Sequence, residues 1–284
     1  MPVSALLLVL GAAVCHTTWN LLLKRAPSPL HSQASALAWG VIVASPVLAF
    51  YSLGDVSAAG WAAIAISALF ETGYVFALTS AYGAGDLSVV YPVARGSASL
   101  IVVPVAIAVL GERPSAAGLL GIALVLAGVL GGDASIFRRA SLVPGRRRAI
   151  ALALLTGSMT AGYSLANKVG VGLVPVPLYA YLVFAINVVL VFAVMRARGR
   201  HVGVLRGGLT ARTAVMGLLM LAAYWAVLTA MSLAPVSYVV AAREVGVVVA
   251  ALLGTLMLHE PHSHRRVAAA VVIFAGLVVI ALSR

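Results

Sequence analysis

Four ionisable side chains sit deep inside long apolar runs of this chain: Glu71, Arg95, Arg243 and Glu244. A charged side chain at the centre of a bilayer-spanning helix costs roughly 2.5–3.5 kcal/mol on insertion scales, so none of the four is expected to face lipid. They should face an interior cavity. A guanidinium offers a planar fork of donors that fits a carboxylate or a phosphonate, which makes Arg95 and Arg243 candidates for binding an anionic group of a small substrate. Glu71 would either neutralise an arginine in the empty protein or carry a proton. Arg243 and Glu244 are sequence neighbours and diverge by about 100° around a helix, so each needs a partner other than the other. The alternative is a permanent network of interhelical ion pairs.

Polar and aromatic residues join this set. Trp19, Asn20, Tyr74, Tyr91, Tyr163 and Tyr224 are expected to line the same cavity, with His16 and Asn167 as weaker members. Aromatic faces pack against organic substrates, although helix packing explains such rings equally well. Pro92 lies one turn before Arg95, frees a backbone carbonyl, and is expected to kink its helix near the site.

The elements that position these groups follow from composition. The chain has 284 residues, 63% hydrophobic and 9% charged, with a mean hydropathy of +1.10. That is more apolar side chain than one water-facing core can bury. Disorder, coiled coil, collagen and a disulfide scaffold are excluded by the same numbers. Cys15 is the single cysteine, so no intrachain disulfide forms. The formal net charge of +12 does not indicate nucleic acid, because the basic residues punctuate apolar runs rather than forming a solvated patch.

Ten apolar segments of bilayer-spanning length are expected, near residues 4–23, 32–53, 60–82, 87–110, 115–132, 149–167, 175–195, 213–233, 236–258 and 266–283. The first has no basic flank and no cleavage pattern, and is read as a retained helix. Long unbroken runs exclude a transmembrane β-barrel.

Self-comparison reveals an internal repeat. Trp19, Leu21 and Lys24 recur as Tyr163, Leu165 and Lys168; Tyr74, Leu78 and Thr79 as Tyr224, Leu228 and Thr229; Arg95, Glu112 and Gly128 as Arg243, Glu260 and Gly276. Five spans per unit is an odd number, so the second unit enters the bilayer from the opposite side. The expected fold is an all-α integral membrane protein of ten transmembrane helices in two inverted five-helix repeats. The first repeat covers residues 1–135, a basic linker 136–148, and the second repeat 149–284. Inverted repeats permit alternating access to a site near the midplane.

The sequences Trp19-Asn20-Leu21-Leu22-Leu23-Lys24, Tyr91-Pro92-Val93-Ala94-Arg95-Gly96, Gly111-Glu112-Arg113 before Gly128, and Ala242-Arg243-Glu244 carry a resemblance over nearly the whole chain. In their order and spacing they resemble the drug/metabolite transporter superfamily, of the ten-helix type with two EamA-like repeats. The resemblance implies secondary transport of a small metabolite across the cytoplasmic membrane, often efflux, with a substrate that varies between members.

Loop charge gives an orientation. Fourteen Lys and Arg fall in the loops after spans 1, 5, 7 and 9, against three on the other side, which places both termini outside. Many relatives are thought to keep both termini in the cytoplasm, and here the count is followed. Lys24 and Lys168 end their helices, where snorkelling and their own helix dipoles account for them. Glu112 and Glu260 are expected to act locally, fixing a turn or capping the following helix.

His259, Glu260, His262 and His264 lack zinc-site spacing and read as an interface loop, so no metal is expected. No phosphate-binding glycine loop is present, and no cofactor is expected. The expected function is a secondary transporter of an amino acid, organic acid or phosphonate-like metabolite, and not an enzyme. A flippase for a lipid-linked substrate and an intramembrane lipid-modifying enzyme are the alternatives. The expected partners are the small-molecule substrate, the lipid bilayer and a proton as coupling ion, with no nucleic acid; the oligomeric state is open.

Overall fold

Long stretches of Ala, Val and Leu satisfy every backbone group internally only as helices when lipid surrounds them. The computed structural model describes residues 1–85, 87–131, 146–199, 208–248 and 264–283. Among the described residues there is no strand. The helices are α1 (Val3–Lys24), α2 (Pro29–Ala44, continued by a 3₁₀ turn over Ser45–Ala49), α3 (Ala58–Ala84), α4 (Leu87–Ala108) and α5 (Ala116–Gly131). They continue with α6 (Arg146–Gly170), α7 (Val176–Ala197), α8 (Ala211–Leu233), α9 (Val236–Ala242) and α10 (His264–Leu282).

Helix boundaries follow local chemistry. Pro29 opens α2, where its missing N–H costs nothing. Ser57 caps α3 by accepting from Gly60 N at 3.1 Å, and Thr210 and Thr213 form a reciprocal capping box at α8. At the other end of α7, Gly199 takes φ +65°, the left-handed turn that glycine adopts without a Cβ clash.

Seven of the described helical segments are long and apolar enough to cross a membrane. Their outer faces are apolar: Leu7 is 62% exposed, Val189 66% and Phe274 67%, while Glu71, Arg95, Asn167 and Glu244 are buried. Polar groups inside and bare hydrocarbon outside is the partition that lipid selects. The chain is a multi-pass membrane protein.

Two of the expected segments take a different form. The segment expected over 32–53 starts three residues earlier and gives way to 3₁₀ geometry at Ser45, where Pro46 follows within a turn. The segment expected over 236–258 is not one continuous helix. α9 ends at Ala242, and beyond it Glu244 N donates to Ala241 O, Gly246 N to Arg243 O and Val247 N to Glu244 O, all three-residue spacings. Residues 249–258 lie outside the described residues. The break falls at Arg243 and not at Pro92, which α4 carries together with Pro104 without interruption.

The helices interlock across the sequence: α1 packs on α8, α6 on α3 and α4, and α5 on α10. The α5–α10 crossing is close because Gly121 and Gly276 meet. A Cβ on either would lie 2.7–2.8 Å from the other's carbonyl oxygen.

Both lysines at the ends of α1 and α6 reach across to another helix, which replaces the expected snorkelling. Lys24 Nζ donates to Tyr82 O at 2.8 Å and Gly85 O at 3.1 Å at the C-terminus of α3. Lys168 Nζ donates to Met231 O at 2.7 Å and Ala234 O at 2.9 Å at the C-terminus of α8. Orphan carbonyls at a helix end attract a cation more strongly than headgroup water does when the site is partly buried.

Glu112 likewise acts at a distance. It accepts from Val236 N at 2.6 Å, Ser237 N at 3.1 Å and Ser237 Oγ at 2.6 Å, capping α9 rather than the adjoining α5. Glu260 lies outside the described residues.

The two chain ends meet. The Met1 ammonium donates to Ile280 O at 3.2 Å and Ser283 O at 2.9 Å. At the opposite end of α1, about 33 Å away for 22 residues, Arg212 Nη2 donates to Leu22 O at 2.5 Å.

Candidate functional site

A cavity lies inside the helix bundle, walled by α1, α2, α3, α4, α6, α7, α8 and the turn that follows α9. Its volume is about 70 Å³, on a measure by which one water needs on the order of 10–15 Å³. It has room for several waters or a small metabolite. α5 and α10 contribute no wall residue and pack on each other.

Seven residues expected from the sequence line this cavity: Trp19, Glu71, Tyr74, Arg95, Tyr163, Tyr224 and Arg243. His16 and Asn167 line it too. Asn20 and Tyr91 instead line a smaller neighbouring pocket of about 10 Å³, which shares His16, Tyr74, Arg95 and Tyr163 with the cavity. Glu244 lines neither pocket and is engaged behind Arg95.

The two arginines have unequal surroundings. Arg95 Nη2 donates to the backbone oxygen of Arg243 at 2.7 Å, and Arg95 Nε stands 3.8 Å from Glu244 Oε2. Ser99 Oγ donates to Glu244 Oε1 at 2.9 Å. Tyr91 lies under the Arg95 guanidinium, whose central carbon is 5.8 Å from the ring centroid. Arg95 is thus built into the protein by a carboxylate, a carbonyl and an aromatic face. Arg243 has no carboxylate within 4 Å among the described residues. Its backbone oxygen accepts from Arg95.

Glu71 is anchored on one oxygen. Thr72 Oγ1 donates to Asn187 Oδ1 at 3.2 Å, which turns the amide nitrogen of Asn187 toward Glu71 Oε2, 3.2 Å away. Glu71 Oε1 has no hydrogen-bond partner among the described residues. Nearby, three hydroxyls converge on Asn167 Oδ1: Ser67 Oγ at 2.6 Å, and the Tyr179 and Tyr224 hydroxyls at 3.1 Å each. Helices α3, α6, α7 and α8 are tied together at that oxygen.

Aromatic rings complete the wall. Tyr74 and Tyr163 meet edge to face at 5.8 Å and 83°, His16 and Trp19 at 4.9 Å and 81°, and Phe184 and Tyr224 lie tilted at 5.0 Å. Both polar atoms of Asn20 are engaged: it accepts from the Tyr82 hydroxyl at 2.8 Å and donates to His16 O at 2.8 Å. That occupation suits an orienting group better than a ligand contact.

Sequence reasoning did not single out Gln33 and Asn187, both of which line the cavity. Neutral amides carry little of the insertion penalty that marks a buried charge. The one available signal was a lone Gln or Asn within an apolar run. Residues 259–263, with most of the histidine cluster, lie outside the described residues, and among the described residues no group of three or more metal-ligating side chains occurs.

Comparison with known proteins places this geometry in a family. No curated protein matches the chain. Twenty-nine chains of solved structure match. One, described only as "Crystal structure of protein", superposes with a TM-score of 0.73 over 98% of this chain and 96% of its own, at 18% identity. That likeness shows a shared fold. The EamA-like transporter family matches residues 3–131 and 147–282, nearly the whole sequence. A cavity that carries charged, amide and aromatic side chains inside an apolar helical bundle is the architecture expected of such a protein, and the chain belongs to the EamA-like transporter family.

Proposed function

We propose that this protein is a secondary transporter that moves a small polar or amphipathic anion across the cytoplasmic membrane by alternating access. The class is a carboxylate or phosphonate bearer: an amino acid, an organic acid or a phosphonate. The observation that carries the reading is Arg243, a buried cavity-lining arginine with no carboxylate within 4 Å among the described residues. A desolvated guanidinium with no carboxylate in ion-pair range among the described residues is costly, and an anionic ligand supplies a close partner. Arg95, fastened by Glu244, shapes the wall and adds positive potential.

The carrier has ten spans in two inverted five-helix repeats, residues 1–135 and 149–284, joined by the basic linker 136–148. The paired caps at Lys24 and Lys168 support that organisation, because the same donor closes the same helix of each half. Trp19, Tyr74, Tyr163 and Tyr224 give the substrate its apolar contacts, while Asn20 and Tyr91 orient their neighbours. Glu71, with one oxygen unpaired among the described residues, carries the coupling proton. Both termini face outside.

Purified protein in liposomes is assayed for accumulation of amino acids, organic acids and phosphonates, with and without a pH gradient. Accumulation of one class, lost in Arg243→Gln protein of normal folded yield, is the expected result. Full transport by that variant refutes the role of Arg243. No accumulation of any solute, combined with turnover of a lipid, refutes the carrier.

A further inference from the structure

Gln33, on the first turns of α2, is fully buried and lines the cavity, yet neither its amide nitrogen nor its amide oxygen has a hydrogen-bond partner among the described residues. Buried side-chain polar groups are nearly always paired, and one that is not gives up the hydrogen bonds it had in water. Here a donor and an acceptor on one rigid plane are both left over. They stand in the wall of a cavity that has room for a ligand.

The geometry points to Gln33 as a specificity-determining residue that reads a second polar group on the transported anion. This rests on the carrier reading above. A cavity of about 70 Å³ is small enough that a molecule filling it touches several walls at once, and Arg243 and Gln33 are both in its wall.

The amide's chemistry narrows the class. A hydroxyl or a primary carboxamide both donates and accepts, and so matches Nε2 and Oε1 together. An ammonium would satisfy only the oxygen, and a methyl group neither. The substrate is therefore a small carboxylate or phosphonate that also bears a hydroxyl or carboxamide. Its analogue lacking that group fills the site but leaves the amide without its partner. Sites built to hydrogen-bond a substrate group discriminate against the analogue lacking it far better than apolar pockets discriminate against an added one.

The test uses matched probes in proteoliposomes: malate against succinate, serine against alanine, and 2-hydroxyethylphosphonate against ethylphosphonate. For whichever pair is taken up, wild-type protein should favour the hydroxylated member by about tenfold or more, the size of one well-made hydrogen bond. Gln33→Met should reduce the ratio to about threefold or less, because the hydroxylated member loses its partner and the plain member no longer leaves an amide unpaired.

If Gln33→Met does not fold, a Gln33→Cys substitution in a Cys15→Ser background carries the test. Its thiol should react with a small methanethiosulfonate at least about fivefold more slowly when the hydroxylated probe saturates the site, since direct contact with a bound ligand occludes it. A wild-type ratio in Gln33→Met, or thiol labelling indifferent to the probe, overturns the assignment of Gln33 and leaves the carrier standing. Wild-type protein that takes up none of the probes overturns the carrier and this inference with it.

Discussion

Arg95 and Arg243 occupy corresponding positions 148 residues apart in the sequence, and in the folded chain one holds the other: Arg95 Nη2 donates to Arg243 O at 2.7 Å. The donor is spent on the protein. The accepting residue keeps its own guanidinium at the cavity, at the point where α9 ends and three-residue hydrogen bonding begins. Under the proposed function the two arginines have separable roles, Arg95 tied to the protein and Arg243 turned to the ligand.

This separation gives the first prediction. Arg95→Gln leaves Glu244 buried without its cation and removes the tie to the Arg243 backbone. Removing one member of a buried ion pair costs about 3 kcal/mol or more. Thermal melting in detergent should show Arg95→Gln well below wild type, with reduced folded yield. Arg243→Gln should melt within a few degrees of wild type and transport nothing. The reverse ranking would mean that the roles are exchanged.

Glu71 gives the second. Asn187 supplies one oxygen of the carboxylate with a donor, and the other has none among the described residues. Replacement by glutamine keeps the shape and removes the titratable group. Glu71→Gln protein should still bind and exchange substrate across the membrane but should no longer accumulate it against a gradient when a pH difference is imposed. Counterflow and pH-driven uptake measured side by side decide the matter, and equal losses in both would place Glu71 in the framework instead.

What the sequence revealed about this site follows from energetics. Glu71, Arg95 and Arg243 stood out because a charge inside an apolar run is expensive enough to demand a cavity, and all three line one. Gln33 and Asn187 escaped notice because a neutral amide raises no such alarm. The reach of Lys24 to α3, and of Glu112 to α9, was hidden for a different reason. Each residue's own helix or loop offered a sufficient local explanation, and contacts between helices have no signature in spacing along one helix. The break after Ala242 was equally hidden. Gly246 and the charged residues Arg243 and Glu244 stand at it, but a charge within an apolar run reads as facing a cavity rather than as the end of a helix.

The lysine caps yield a third prediction. Lys24 and Lys168 each make two hydrogen bonds to the carbonyls that close α3 and α8. Replacement by methionine keeps most of the apolar stem and discards the charge. Each single substitution should destabilise by about 1–2 kcal/mol, and the double by nearly the sum, because the two sites lie at opposite ends of the bundle. Substrate preference should not change. Denaturation in detergent combined with a competition profile checks both halves, and a changed profile would show that a cap participates in recognition.

The last prediction concerns orientation. The chain ends meet through the Met1 ammonium at one end of the bundle. Lys24, Arg25, Arg196, Arg198 and Arg212 gather at the other, where Arg212 holds Leu22 O and Arg198 lies 5.1 Å from the Phe76 ring centroid. Cytoplasmic loops retain basic residues because translocating them opposes the membrane potential and the anionic inner leaflet. The basic end should therefore face the cytoplasm and the termini the outside. A phosphatase fused after Arg284 should be active and a fluorescent protein at the same point dark, with the opposite pattern for fusions within 136–148. A bright fluorescent fusion after Arg284 would invert the protein in the membrane and leave the cavity and its arginines unchanged.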